Sequence, residues 1–236
     1  MRVLSEAQIY YIWLNRYPMY ELDPVTIAII AINVIVSIKG FEDHSFFEKF
    51  KFNVGGIRRG EQIRMFSSGF LHVDPTHLIV NMFTLYFFAN NVILELGELN
   101  FVIIYLASLI FGNLLSLYFH KEEYWYSAVG ASGAVTGILY AAILLQPDMR
   151  LYMFFIPVPI PGYVFGIGYL LYSIYGIKNR IGNIGHDAHF GGAVGGYVVT
   201  LILLPSLFET DLGHIGLLAI PIIILFVLYK TGKLNS

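Results

Sequence analysis

Stretches of apolar residues about as long as a bilayer crossing recur along this chain, and no other feature restricts its fold so severely. A spanning helix needs about 20 predominantly apolar residues to cross about 30 Å of hydrocarbon. Seven stretches approach that length, at 24–38, 76–96, 101–119, 127–145, 151–176, 188–204 and 215–229, the fifth interrupted by prolines. Lipid offers the backbone no hydrogen bonds, so each stretch must satisfy its own N–H and C=O groups as a helix. With hydrophobic residues at 57% and charged residues at 13%, the chain carries too little charge for a soluble domain of its size. The expected fold class is an all-α polytopic membrane protein built as one compact unit. Short loops should make neighbouring helices pack antiparallel.

The connection at 40–75 is the exception. It is long, holds most of the chain's charge, and interleaves Phe46, Phe47, Phe50 and Phe52 with Glu48, Lys49 and Lys51. That pattern suits a segment lying at the membrane interface. Residues 1–23 are polar and aromatic and lack the charged cap and short apolar core of a cleaved signal peptide. The first span is therefore expected to act as an uncleaved signal. A net charge of −2 and the lack of any basic run exclude nucleic acid as a partner. The environment that composition demands is the lipid bilayer. Without cysteine there is no disulfide, thiolate nucleophile or cysteine-bound metal. The seven histidines form no compact ligand cluster and no His-Glu-x-x-His occurs, so neither metal nor organic cofactor is expected.

Polar side chains fall in a pattern. Spans two, four and six run the same way, so their N-terminal ends share one face. His77 and Asn81 lie in the first turns of span two, Ser132 just inside span four and His189 at the start of span six. At about 1.5 Å per residue, all sit within a few turns of one surface. Such groups in a bilayer are a functional hypothesis by default. Ser132, framed as Gly130-Ala131-Ser132-Gly133, needs a base because an unactivated hydroxyl is a weak nucleophile. His189 is the best-placed candidate. Gly191, Gly192, Gly195 and Gly196, with Gly133 and Gly137 on span four, form small-xxx-small faces that let backbones approach. A Ser–His hydrogen bond of about 2.6–3.2 Å requires that approach. Taken alone, such glycines do no more than pack helices; a serine and a histidine at matching depth reverse the balance. His77 and Asn81 are four apart, on one helical face, and both can donate to a developing oxyanion. The plainer reading of that pair is a helix-stabilising contact at the membrane boundary. Asp187 stands two residues before His189, a spacing that points helical side chains apart, so a Ser–His dyad without it is expected. His72 and His186 read as boundary or loop histidines, and Glu95 as structural.

These residues resemble the rhomboid family of intramembrane serine proteases. The matching segments are Phe70-Leu71-His72, His77-Leu78-Ile79-Val80-Asn81-Met82, Gly130-Ala131-Ser132-Gly133-Ala134 and Ala188-His189-Phe190-Gly191-Gly192. They stand in the family's order and on the corresponding spans, and Arg64 and Glu95 resemble further family positions. The resemblance covers 24–204. It implies a rhomboid-like six-helix core there, after a polar segment at 1–23, with one extra C-terminal transmembrane helix in 205–236. It also implies a Ser132–His189 dyad, an oxyanion site served by His77 and Asn81, and a first loop (41–74) partly embedded in the membrane. Its substrates would be single-span membrane proteins with helix-destabilising residues and a small side chain before the cut. The expected location is a bacterial cell (inner) membrane. Ile156-Pro157-Val158-Pro159-Ile160-Pro161-Gly162 cannot make a regular helix and fits a substrate gate, sealed by Phe154, Phe155, Tyr163 and Phe165. The chain departs from the family at Thr136, where many relatives carry an aromatic that packs on the histidine; the support for His189 must come from elsewhere. The family orientation places the first loop outside. The positive-inside rule, counting Lys49, Lys51, Arg58, Arg59 and Arg64, favours the reverse. We follow the family, because an embedded, folded loop is not a simple loop.

Two other readings compete. A non-catalytic rhomboid-like protein that retains or escorts membrane clients is expected to lack the serine or the histidine, and both are present. A small transporter lined by His77, Asn81 and His189 predicts a path open to both faces, whereas these groups cluster near one.

Overall fold

The computed structural model describes residues 22–153, 156–182 and 184–234. Seven long helices carry the fold: α1 (Pro24–Glu42), α2 (Pro75–Leu96), α3 (Glu98–Phe119), α4 (Ser132–Leu145), α5 (Gly162–Asn179), α6 (His186–Leu203) and α7 (Leu212–Lys230). The all-α polytopic fold expected from composition is the one observed. An Asp-Pro pair opens both α1 and α2. The Asp23 carboxylate accepts the Val25 N–H and the Asp74 carboxylate that of His77, each at 2.8 Å. Pro24 and Pro75 fill first-turn positions whose N–H would have no helical partner. Helices α1, α2, α3 and α7 are long and apolar enough to cross a bilayer, which makes this an integral multi-pass membrane protein.

Helix α4 differs from these. Its 14 residues rise only about 21 Å, roughly 9 Å less than the hydrocarbon thickness. From Gly133 to Leu144 every residue is buried. A helix enclosed by protein need not reach both lipid surfaces.

Helices α3, α4 and α6 meet backbone to backbone. A Cβ on Gly192 would collide with the Gly133 carbonyl, one on Gly196 with the Gly137 carbonyl, and one on Gly137 with Ser108 of α3. On the other face of α6, a Cβ on Gly191 would come 2.6 Å from the Phe111 carbonyl oxygen. This is close packing through small residues, which drives helix association where lipid removes the hydrophobic term. Helix α7 lies along α5 and α6. Its Leu218 reaches Gly166 of α5, and the Tyr197 hydroxyl of α6 donates to the Ile215 carbonyl at 2.9 Å.

The structure departs from the sequence reading in the connections. Span four begins at Ser132 rather than 127, because Ser127–Ala128 (β2) pairs antiparallel with Phe52–Asn53 (β1). That pairing draws Phe52 off the interface into a small core with Val54, Ile57 and Met65. Phe46 and Phe50 stay together on the short helix His44–Phe50, ring centroids 4.7 Å apart. The proline segment is no part of a spanning helix. Ile156–Pro161 (β4) pairs antiparallel with Arg150–Met153 (β3), and α5 starts only after it. Prolines lack the N–H that a helix interior needs, but the edge of a two-stranded hairpin tolerates them. The hairpin follows the C-terminal end of α4, about 20 Å from Ser132, which is too far to gate a site there. Phe154 and Phe155 lie outside the described residues. Tyr163 packs on His214 of α7, ring centroids 5.0 Å apart, while Phe165 stacks on Tyr169.

Several charges of the first loop are engaged by the loop itself. Arg64 binds the Glu61 carboxylate and donates to the carbonyls of Glu48 (2.8 Å) and Lys51 (2.9 Å). Lys51 meets Glu48 at 2.7 Å, and Arg58 donates to the Lys121 carbonyl at 2.7 Å. Charges engaged in this way are not the loose loop charges on which the positive-inside rule rests.

Gly192→Leu forces a side chain into the α4 backbone. It is expected to lower the midpoint of thermal unfolding in detergent by about 5–10 °C, an overpacking cost of about 3 kcal/mol. Gly216→Ala, where a Cβ meets open space, should not lower it.

Candidate active site

Ser132 opens α4, and the backbone before it is held from two sides. The Gly130 N–H donates to the Ser68 carbonyl at 3.0 Å, and the Ala131 N–H to Nε2 of His72 at 3.4 Å. Gly130 has φ 134°, a conformation other residues resist. A Cβ there would lie 2.7 Å from Cε1 of His77, 2.9 Å from its Nε2 and 3.7 Å from Ser132 Oγ. The imidazole edge of His77 and the Ser132 hydroxyl therefore flank a space that only a glycine leaves open. His77 is set by the Asp74 cap, and its Nδ1 is buried without a partner, so the nitrogen it presents is Nε2. One turn on, buried Asn81 donates from Nδ2 to the His77 carbonyl at 3.1 Å, which leaves its second amide hydrogen available. The N–H of Ser132 itself belongs to the first turn of α4, whose donors lack helical acceptors and carry the positive end of the helix dipole.

His189 stands in the first turn of α6. Its Nδ1 is 2.9 Å from the hydroxyl of Tyr169 on α5, and the two rings are inclined by 21°. A histidine that accepts a proton on Nε2 must carry its own on Nδ1. The Tyr169 oxygen stands where it can accept that Nδ1 proton. Support for His189 thus comes from another helix, 20 residues earlier in the chain, where no local pattern announces it. The starts of α4 and α6 touch: a Cβ on Gly133 would lie 3.2 Å from the Ala188 carbonyl oxygen. Ser132 and His189 are thereby brought to facing first turns, and the hydrogen bond that His189 makes is to Tyr169 rather than to Ser132.

Asp187 turns away from His189. Its carboxylate lies 3.4 Å from Nε2 of His120, just past the end of α3. His120 also meets Glu123 at 2.8 Å; burial pulls its pKa down, but the two acids outweigh that and hold it above the ordinary value. Glu95 is exposed near the end of α2. Among the described residues no group of three or more His, Asp or Glu side chains is arranged to hold a metal ion.

Two histidines expected at a boundary or in a loop are buried instead. His186 is the first residue of α6; it fills the space left by Gly176, stands edge-on to His189 at 6.4 Å, and neither of its ring nitrogens has a partner. His72 is fully buried, with Nδ1 2.8 Å from Ser37 Oγ of α1. The Ser37 hydroxyl donates to the Phe70 carbonyl at 3.1 Å. The imidazole must therefore donate from Nδ1, and Nε2 keeps the lone pair that receives the Ala131 N–H. Burial pushes the His72 pKa down to about 3 and keeps the ring neutral. His72 is a strut from α1 to the loop that carries Ser132, and five residues of sequence before His77 give no hint of it.

The unfolded chain protonates His72 near its ordinary pKa, about 6.5, and the folded chain only near 3. Its contribution to stability is thus complete above about pH 6.5 and lost as pH falls from there toward 3. His72→Asn should be less stable than the parent at about pH 7.5 and close the gap by about pH 5, read by thermal unfolding in detergent.

Residues 59–206, more than half of the chain and all four candidate site residues, match the family model for the Rhomboid domain. RHOMBOID-like protein 12, mitochondrial, of Arabidopsis thaliana is 28% identical over 175 residues, covering 68% of this chain and 52% of the relative. Rhomboid protein 1, mitochondrial, of Saccharomyces cerevisiae is 32% identical over 138 residues, 57% of this chain and 40% of the relative. Rhomboid protease GluP of Bacillus subtilis is 30% identical over 149 residues, 62% of this chain and 27% of the relative. The chain spans about half or less of the length of these relatives. From the first loop through α6 the match is continuous with the elements that frame Ser132 and His189, and the chain belongs to the rhomboid family.

Proposed function

We propose that this protein is an intramembrane serine endopeptidase that cleaves transmembrane segments of membrane proteins with a Ser132–His189 dyad. The observation that carries the reading is the 2.9 Å contact between His189 Nδ1 and the Tyr169 hydroxyl. In this reading Nδ1–H is donated to the tyrosine oxygen, which leaves Nε2 bare on a helix turn that faces the turn bearing Ser132. In the reaction, Ser132 Oγ attacks the peptide carbonyl carbon and His189 Nε2 takes its proton. Nε2–H of His77, the free amide hydrogen of Asn81 and the Ser132 N–H receive the oxyanion. Protonated His189 then hands the proton to the leaving amine, and a water activated by the same nitrogen releases the acyl-enzyme. The Ser132–His189 hydrogen bond forms when substrate binds, since catalytic hydrogen bonds are commonly completed only in the complex. Single-span proteins whose helices contain weak helix formers fit as substrates, because an extended backbone must reach a serine at the start of an enclosed helix. The location read from the sequence, a bacterial cell membrane, gains no support from the relatives, most of which are mitochondrial by name.

Non-catalytic client binding is the second reading. In its favour, the bond of His189 goes to Tyr169 and not to Ser132.

A fluorophosphonate probe separates the two readings. Detergent-purified protein should be labelled, Ser132→Ala and His189→Ala should not, and a folded parent that resists the probe makes client binding the function. Tyr169→Phe keeps the ring and loses the hydrogen bond. With a cleavable transmembrane substrate its kcat should fall about tenfold, near the net worth of one hydrogen bond, with KM unchanged. Asn81→Ala should cost about a hundredfold in kcat, and Asp187→Ala should leave turnover near that of the parent.

A further inference from the structure

Where α3, α6 and α7 meet, a groove of about 430 Å³ opens toward lipid, walled by Leu114, Phe190, Val194, Ile222 and Phe226 among others. It runs along the C-terminal halves of α3 and α7 and the N-terminal half of α6, so it lies on the Ser132 side of the molecule. At its end the hydroxyls of Tyr118 and Tyr229 bond each other, the position where tyrosines mark the boundary between hydrocarbon and headgroups. Cations gather just beyond. Lys121 Nζ stands 5.6 Å from the Tyr118 ring and Lys230 Nζ 5.6 Å from the Phe226 ring. Arg58 is tied to the Lys121 carbonyl at 2.7 Å. Of the two acids after Lys121, Glu123 is turned to His120 and Arg180, at 2.8 and 3.5 Å, and Glu122 is exposed.

An apolar slot topped by ammonium groups has the two-part chemistry of a phospholipid. One hydrocarbon chain is slender enough to lie in a groove of about 430 Å³. We propose that the groove binds a glycerophospholipid with an anionic headgroup, one acyl chain between α3, α6 and α7 and the phosphate against Lys121 and Lys230. This assigns α7 a role independent of any proteolysis: it supplies one wall and one of the two lysines.

The full chain in neutral detergent is titrated with dioleoyl phosphatidylglycerol or dioleoyl phosphatidylcholine, and bound lipid is counted by native mass spectrometry. The anionic lipid should bind at least about tenfold more tightly, each lysine near a phosphate being worth about fivefold. Lys121→Gln with Lys230→Gln, both at exposed positions, should bring phosphatidylglycerol down to the phosphatidylcholine level, and Leu114→Trp should weaken both lipids. Inorganic phosphate should displace neither. Equal binding of the two lipids by the parent overturns the proposal, as does a preference that survives the double variant. Displacement by inorganic phosphate would make this a headgroup-only site, and loss of lipid on dimerisation would make the occupant a second copy; either overturns the proposal.

Discussion

The contact between α4 and α6 governs the rest of the molecule. Helices in lipid gain nothing from hiding apolar side chains from one another, so they associate through packing and hydrogen bonds. Here the packing is carbonyl against glycine, Gly133 on Gly192 and Gly137 on Gly196. Contact at that range fixes both the depth and the rotation of one helix against the other. Ser132 and His189 therefore face each other because of the backbone and not through long side chains. The enclosure of α4 has the same origin. Only a helix surrounded this tightly can be 14 residues long and still sit in a bilayer.

Spans and glycine faces were legible in the sequence because each is a local pattern. A run of apolar residues and a glycine every fourth position do their work within one helix or on one face of it. The features that were not legible all depend on distant partners. Phe52 reads as one of four interfacial phenylalanines until Ala128 pairs with it and encloses it. The prolines at 157–161 read as a break inside a span, and only pairing with Arg150–Met153 makes them a strand. His72 finds Ser37 on α1 and Ala131 before α4, and Tyr169 reaches His189 from another helix. Three-dimensional proximity supplied each of these, and no period or spacing encodes it.

The first loop is the clearest example. Its composition resembles an amphipathic segment resting on a membrane, yet its contacts are those of a frame. Asn113 of α3 donates to the Met65 carbonyl at 2.7 Å and to the Ser68 hydroxyl at 3.2 Å. Ser68 in turn receives the Gly130 N–H. The route from α3 through the loop to the residue two before Ser132 is thus a chain of hydrogen bonds. A second route runs from Ser37 through His72 to Ala131. Val129, Gly130 and Ala131, between β2 and α4, leave regular structure for three residues only, and two neighbouring elements hold them there. Arg64, Lys51 and Arg58 of this loop bond within the same frame, so a bare count of its basic residues is a weak guide to the side of the membrane on which it lies.

Helix α5 occupies a different position. It is not locked to α4 by glycines as α6 is; instead it leans on α7 through Leu218 and reaches the site through one hydroxyl. Under the proposed proteolysis, a substrate approaching from the lipid beside α5 would meet the helix whose Tyr169 contacts His189. A displacement of α5 that broke this contact would take from His189 its one hydroxyl neighbour on that helix. Access and base orientation would then oppose each other along one coordinate, the distance of α5 from α6. The residues on which the proposed entry and chemistry would impose conflicting demands are those near Phe165 and Tyr169, in the N-terminal half of α5.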